Sequence, residues 1–329
     1  MSDRLGPAGR RPLFAWRLGD HIQGMTEPVQ SRMHAVFNRR VLRLRRGRVA
    51  PALHGFDFLI REAALRLVER LGDVRREFPL ALELGCHTGQ LAAALHGNAQ
   101  LGQLIQADLS CDMVRRAHGP RLVADEEALP FGPGRLDLVI SCFSLHWVND
   151  LPGTLAQIRY ALKPDGLFLA IMPGGSTLFE LREALMRAEL EVAGGAGPRV
   201  SPFVDVRDGG MLLQRAGFAL PVADVETLTV TYDHPLKLMA ELRGMGEANA
   251  LVQRPRALDR ITLWRACEIY RELFGDGANR VPATFQLLTL SGWAPDPGQP
   301  QPIRRGSGQV NLAEALGVPL EVLQGKAKR

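Results

Sequence analysis

The sequence predicts an α/β protein built on an open, mostly parallel sheet, and three observations point to it. Between residues 80 and 172, short β-like runs alternate with helical ones, as parallel strands joined by crossover helices require. A glycine turn, Glu83-Leu84-Gly85-Cys86-His87-Thr88-Gly89, links the first run to a helix. Acidic residues stand at the carboxyl ends of the first three runs: Glu83, Asp108 and Asp125. In open α/β sheets that edge is where ligands bind.

Residues 1–50 form a basic N-terminal extension. Residues 1–48 hold 11 Arg against 3 acids, while the body from 49 to 302 has an excess of 6 acids. The start lacks the apolar core of a secretory signal; it reads as an Arg-rich transit peptide or as a start placed upstream of a true first residue, Met25. Within it, Met33, Val36, Phe37, Val41 and Leu44 recur at helical spacing against Arg39, Arg40, Arg43 and Arg46. Such a helix is either an arm for an acidic partner or a solvated face.

The main domain is expected over 51–293. Leu59, Ala63, Leu67 and Leu71 predict a helix over 56–71. Strands follow at 80–84, 104–108, 121–124, 136–143 and 167–172, with helices near 90–96, 110–118 and 151–162. Lys163-Pro164-Asp165-Gly166 predicts a turn before the fifth strand. A helix at 177–190 and a Gly-rich loop at 194–198 come next. Two further strands, 226–233 and 284–293, complete a seven-stranded sheet, and the helical segments 235–245 and 256–274 between them form a cap over about 234–280. Residues 294–329 are a Pro-, Gly- and Gln-rich tail.

Composition narrows the function classes. With 46% hydrophobic and 23% charged residues, the chain has globular usage rather than that of a disordered one. No apolar run approaches the ~20 residues of a membrane span. The four cysteines form no CxxC pair, which argues against a disulfide framework or zinc ribbon and fits a reducing compartment. The basic excess lies at the chain ends, whereas a nucleic-acid binder carries it on the folded domain. The acidic body suits a cationic ligand or acceptor.

The glycine turn separates two cofactors. A dinucleotide asks for G-x-G-x-x-G with its pyrophosphate on the helix end. Here Gly85 and Gly89 are followed by no third glycine, and the preceding Glu83 would repel a pyrophosphate. S-adenosylmethionine carries an ammonium and a sulfonium and no phosphate, so an acid there is favourable. Asp108 is placed to accept both ribose hydroxyls, and Asp125 to accept from the adenine amino group. His87 replaces the usual middle glycine and would narrow the methionine side of the pocket. After the fourth strand, Ser144-Leu145-His146-Trp147-Val148-Asn149-Asp150 faces the reacting group. His146 is a candidate general base, or else a core histidine on a backbone carbonyl. Trp147 can stack on a cation or belong to the core. No 2-His-1-carboxylate set is evident, His146 with Asp150 being the nearest pair, and no metal site is expected. In the cap, Arg243-Gly244-Met245-Gly246-Glu247-Ala248-Asn249 offers Glu247 and Asn249 as acceptors for a guanidinium; alternatively Glu247 caps a helix or pairs with a surface arginine.

On these residues the chain resembles the class I S-adenosylmethionine-dependent methyltransferases, in the branch holding the malonyl-carrier-protein methyltransferase of biotin synthesis. The resemblance is closer to the NADH:ubiquinone oxidoreductase (complex I) assembly factor 5 family, whose eukaryotic members are mitochondrial arginine hydroxylases. It covers nearly the whole chain from Phe37, and its specific stretches are SLHWVNDLP (144–152), GMGEAN (244–249) and VPATFQ (281–286), with RRGSG (304–308) beyond them. The family pattern carries over to Glu83, Gly85, Gly89, Asp108 and Asp125 for the cofactor. The resemblance implies a Rossmann-like methyltransferase sheet and methyl transfer by fold. It also implies hydroxylation of an arginine in a complex I subunit, or an assembly chaperone with no catalysis. The client is then a complex I subunit or a small acceptor. The compartment is the cytoplasm in a bacterium or the mitochondrial matrix in a eukaryote.

Overall fold

A computed structural model describes residues 35–253, 257–278 and 280–300. The readings made above on residues 1–34 and 301–329, Met25 and Met33 included, lie outside the described residues. In chain order the elements are α1 (Arg39–Val49), α2 (Phe58–Gly72), β1 (Phe78–Leu84), α3 (Gln90–Ala94), β2 (Leu101–Asp108), α4 (Cys111–Val114), β3 (Arg121–Val123) and β4 (Leu136–Cys142). There follow α5 (Leu151–Ala161), β5 (Leu162–Pro173), α6 (Phe179–Ala193), α7 (Val206–Arg215), β6 (Ala219–Tyr232), α8 (Pro235–Met245), α9 (Arg260–Phe274) and β7 (Val281–Trp293).

The strands form one seven-stranded sheet in the order β3-β2-β1-β4-β5-β7-β6. The first five pair in parallel, and β7 runs antiparallel between β5 and β6. Both faces are covered, so the central strands are apolar on alternate residues toward each side. Ala81, Leu138, Ile140, Leu167 and Leu169 pack on one face with α2, α6 and α9. Leu82, Leu84, Val139, Phe168 and Ala170 pack on the other with residues of α5 and α7. The strand order reverses between β1 and β4, which opens a crevice at their carboxyl ends.

Three elements depart from the expected pattern. The turn at 163–166 is taken up inside β5: Leu136 faces Leu162 and Leu138 faces Leu167, so the four residues between bulge out, with Asp165 at φ +59°. Helix α7 was not predicted, because Gly209 and Gly210 lower its helical propensity. Gly209 is there for space, since a Cβ on it would lie 2.9 Å from Leu290 Cδ2. The third is α1. It is not a free arm, because Leu42 and Arg46 are buried, and only part of its basic face, Arg40, Arg43 and Arg48, is solvated. The cap follows expectation, with α8 and α9 lying between β6 and β7 and α9 packed on α6.

Candidate functional site

The crevice is built from the ends of β1, β2 and β4. After β1 the chain turns through Gly85 at φ +81°, His87 at +49° and Gly89 at +96°. Gly85 is also sterically required, since a Cβ there would sit 2.0 Å from Ser144 Cβ. Gly89 then caps the N-terminus of α3. Asp108, at the tip of β2, is fully buried. Its Oδ2 accepts from the His87 N–H at 3.1 Å and its Oδ1 from the Ser110 N–H at 2.8 Å. The acid that sequence assigns to ribose thus also fixes the glycine turn.

Glu83 is buried beside Asp108, and its Oε2 has no hydrogen-bond partner. Burial first, and the neighbouring Asp108 second, push its carboxyl well above the usual range. A buried acid left without a donor is a site for a cationic or hydroxyl-bearing ligand. His87 turns its Nε2 to the Cys142 carbonyl at 3.1 Å, and its Nδ1 has no partner. Burial, and then the charge of Arg46, lower its pKa and hold the ring neutral.

The acidic run after β3 divides its work. Asp125 is partly exposed and accepts from Arg39 Nη2 at 2.6 Å. Its neighbour Glu126, which sequence reasoning did not single out, is fully buried in the crevice. It pairs with Arg39 and with Arg46 Nη1 at 3.4 Å, and accepts from the Ser144 hydroxyl. Burial opposes its ionisation, but Arg39 and Arg46 outweigh that and hold its pKa at about 2, below the ordinary 4.5. The charge of Glu126 therefore favours the fold fully above about pH 4.5 and is lost as pH falls through about 2. Glu83 has the opposite sign, since its raised value favours the fold only toward low pH. Urea midpoints measured for wild type and Glu126→Gln from about pH 6 to about pH 3 should converge as pH falls. The neutral-pH difference should be roughly 3 kcal/mol or less. Parallel curves would show that Glu126 carries no such linkage.

His146 and Glu247 come together. His146 Nε2 lies 2.8 Å from Glu247 Oε2, and the Trp147 indole N–H donates to the same oxygen at 3.0 Å. Glu247 Oε1 accepts no hydrogen bond among the described residues. Burial works against the charge of Glu247, but His146, with its hydrogen bond, and Arg46 keep its pKa below the usual value. Glu247 is therefore neither a helix cap nor a surface ion pair. His146 directs its Nε2 to Glu247 and not to a backbone carbonyl. Asp150 is not beside His146; it caps α5 through the Gly153 N–H. Asn249 is not a free acceptor either: its amide donates to the Pro198 and Arg199 carbonyls and its Oδ1 accepts from Leu251 N–H. No cluster of three metal-ligating side chains occurs among the described residues.

Glu247 and Trp147 line a cavity of about 220 Å³, otherwise walled largely by apolar side chains such as Phe143, Leu181, Phe203 and Met239. Arg199 and Arg243 also border it; the charge of Arg199 is met by Glu189 at 2.9 Å, and Arg243 is exposed. The cavity thus presents a long apolar wall with an ionised carboxylate, which suits an aliphatic stem ending in a cation.

Residues 82–170 match a methyltransferase domain family. The chain is 41% identical over 313 residues to human "Arginine-hydroxylase NDUFAF5, mitochondrial", covering 93% of this chain and 89% of the relative. It is 33% identical to a malonyl-[acyl-carrier protein] O-methyltransferase of Methylovorus, covering 75% of this chain and 86% of the relative. A solved structure of a candidate methyltransferase from Bacillus halodurans superposes with a TM-score of 0.50 at 13% identity, over 70% of this chain and 99% of that one.

Proposed function

The chain belongs to the family of the arginine-hydroxylase NDUFAF5 proteins and has the class I methyltransferase fold, and on that premise we propose that it binds S-adenosylmethionine and modifies an arginine side chain of a client protein. The crevice residues suit that cofactor. Glu83 and Asp108 offer buried carboxylates to a cationic, hydroxyl-bearing ligand, and the left-handed turn at Gly85 and Gly89 lets backbone approach it. Asp125 and Glu126 extend the acidic wall. When bound, S-adenosylmethionine supplies an electrophilic methyl group.

The observation that carries the acceptor half is Glu247, an ionised carboxylate on the wall of a largely apolar cavity. His146 and Trp147 fix Oε2, which leaves Oε1 to accept from a guanidinium. The same carboxylate disfavours a malonyl acceptor, whose own carboxylate would meet like charge. Positioning is the contribution these residues make to either reaction. With Nε2 on Glu247, His146 orients the anchor. The relatives' name favours oxygen insertion, which calls for dioxygen and two further electrons, the second oxygen atom leaving as water. The methyltransferase domain match favours methyl transfer as the second reading. A complex I subunit is the proposed client, in the mitochondrial matrix of a eukaryote or the cytoplasm of a bacterium.

The test uses purified chain, methyl-labelled S-adenosylmethionine, a candidate complex I subunit, dioxygen and a two-electron reductant, with peptide mass spectrometry of the product. One added oxygen atom on an arginine is the expected result. A labelled methyl group selects the second reading, and an unmodified subunit overturns the enzymatic one.

A further inference from the structure

We propose that Arg46 is a gate on the cofactor crevice, one that links cofactor entry to the acceptor pocket through helix α1. The inference rests on the cofactor reading of Asp108. Arg46 lies eight positions into α1 and is only 2% exposed. Its guanidinium sits among the residues that the cofactor needs. Nη1 faces Asp108 Oδ2 at 3.3 Å and Glu126 Oε1 at 3.4 Å, and Nη2 faces Ser144 Oγ at 3.3 Å. Asp108 already receives two backbone N–H groups. The guanidinium covers Oδ2, so ribose hydroxyls and Arg46 compete for this carboxylate.

The contacts have the character of a stand-in. Charge-assisted hydrogen bonds usually measure about 2.7–2.9 Å, and all three here are longer. Arg46 Nε has no partner among the described residues although it is buried. Burial works against the guanidinium charge, and Asp108, Glu126 and Glu247 hold it there. S-adenosylmethionine carries a net charge of +1 at neutral pH, from its ammonium, sulfonium and carboxylate. Exchange of Arg46 for the cofactor therefore leaves the acidic wall neutralised to the same extent.

Helix α1 also holds the acceptor side. Arg45 donates to the Ala248 carbonyl at 2.7 Å and to that of Asn249. Asn38 N–H donates to the Ala250 carbonyl at 2.7 Å, and Phe37 bridges to Leu251. A helix that withdraws Arg46 thus pulls on the segment that follows Glu247. Cofactor entry then loosens the segment that walls the acceptor pocket.

The experiment is calorimetric titration of the full chain with S-adenosylmethionine, for wild type, Arg46→Gln and the control Arg43→Gln, an exposed position on the same helix. A gate that is mostly closed lowers apparent affinity by its open fraction, so Arg46→Gln should tighten binding by roughly 5- to 50-fold. Arg43→Gln should stay within about twofold. Equal or weaker binding by folded Arg46→Gln overturns the gate and makes Arg46 a ligand or a structural ion pair. Amide hydrogen exchange on the wild type decides the matter if the variant does not fold. Added S-adenosylmethionine should speed exchange in residues 42–50 and 248–252, and slower exchange there overturns the gate. No binding by either wild type or Arg46→Gln overturns the cofactor reading itself, and the gate with it.

Discussion

Asp108→Ala should weaken S-adenosylhomocysteine binding by roughly 10- to 100-fold, the scale of a lost hydrogen bond to a charged group. The carboxylate is fully buried, so water does not replace it. The same substitution strips acceptors from the His87 and Ser110 N–H groups. Each orphaned donor costs about 1–3 kcal/mol, so urea unfolding must confirm that the variant is folded where it is titrated. Arg46 also loses one of its three partners, which loosens its hold on the crevice and offsets part of the loss. The double variant Asp108→Ala/Arg46→Gln separates the two effects, because its remaining deficit relative to Arg46→Gln belongs to the ribose contact. Unchanged affinity in folded Asp108→Ala would end the assignment of Asp108 to the cofactor.

The parts of this site that were legible in the sequence are those whose reason is local. A glycine that must adopt positive φ between a strand and a helix leaves its mark in the chain itself, as Gly85 and Gly89 do. An acid at a strand tip is placed by the strand, as with Asp108. The cap was legible because α8 and α9 have helical periodicity between two alternating strands. What stayed hidden depends on packing between distant segments. Asp125, Glu126 and Glu127 are equivalent as letters. Only the turn closed by the Asp125–Ala128 bridge decides that Glu126 points inward. Arg46 belongs to a basic stripe that reads as solvated until α1 is laid on the crevice, 62 positions from Asp108 in sequence. The pairing of His146 with Glu247 spans 101 positions and carries no local mark.

These long-range pairs make the site one charge system. Arg39 and Arg46 neutralise Glu126, Arg46 reaches toward Asp108, and Glu247 Oε2 is held by His146 and the Trp147 indole. Glu83, like Glu247, keeps an oxygen without a donor among the described residues, and burial beside Asp108 makes it take up a proton more readily. A cationic ligand is therefore favoured where Glu83 and Asp108 meet. On the other side of the crevice, Glu247 faces the cavity ionised.

Glu247→Gln should lower turnover on an arginine-bearing client by roughly 10- to 100-fold while cofactor affinity stays within about twofold. The substitution keeps the shape and removes the charge. A neutral amide accepts a single hydrogen bond more weakly and gives up the attraction to a guanidinium. Its NH2 group would also confront the donors His146 and Trp147, so the amide turns its oxygen to them and its nitrogen to the acceptor, where it repels. An anchor that binds acceptor in ground state and transition state alike raises KM with little change in kcat. Loss of orientation at the reacting atoms lowers kcat instead, and the split between the two constants shows which role dominates. Glu247→Asp, with the charge kept but drawn back by one methylene, should recover part of the activity. A purely structural Glu247 would give a different pattern: a lower melting temperature, an equal loss of cofactor affinity, and no preference for Asp over Gln. Unchanged turnover in Glu247→Gln would remove the acceptor anchor, and with it the main local support for an arginine substrate.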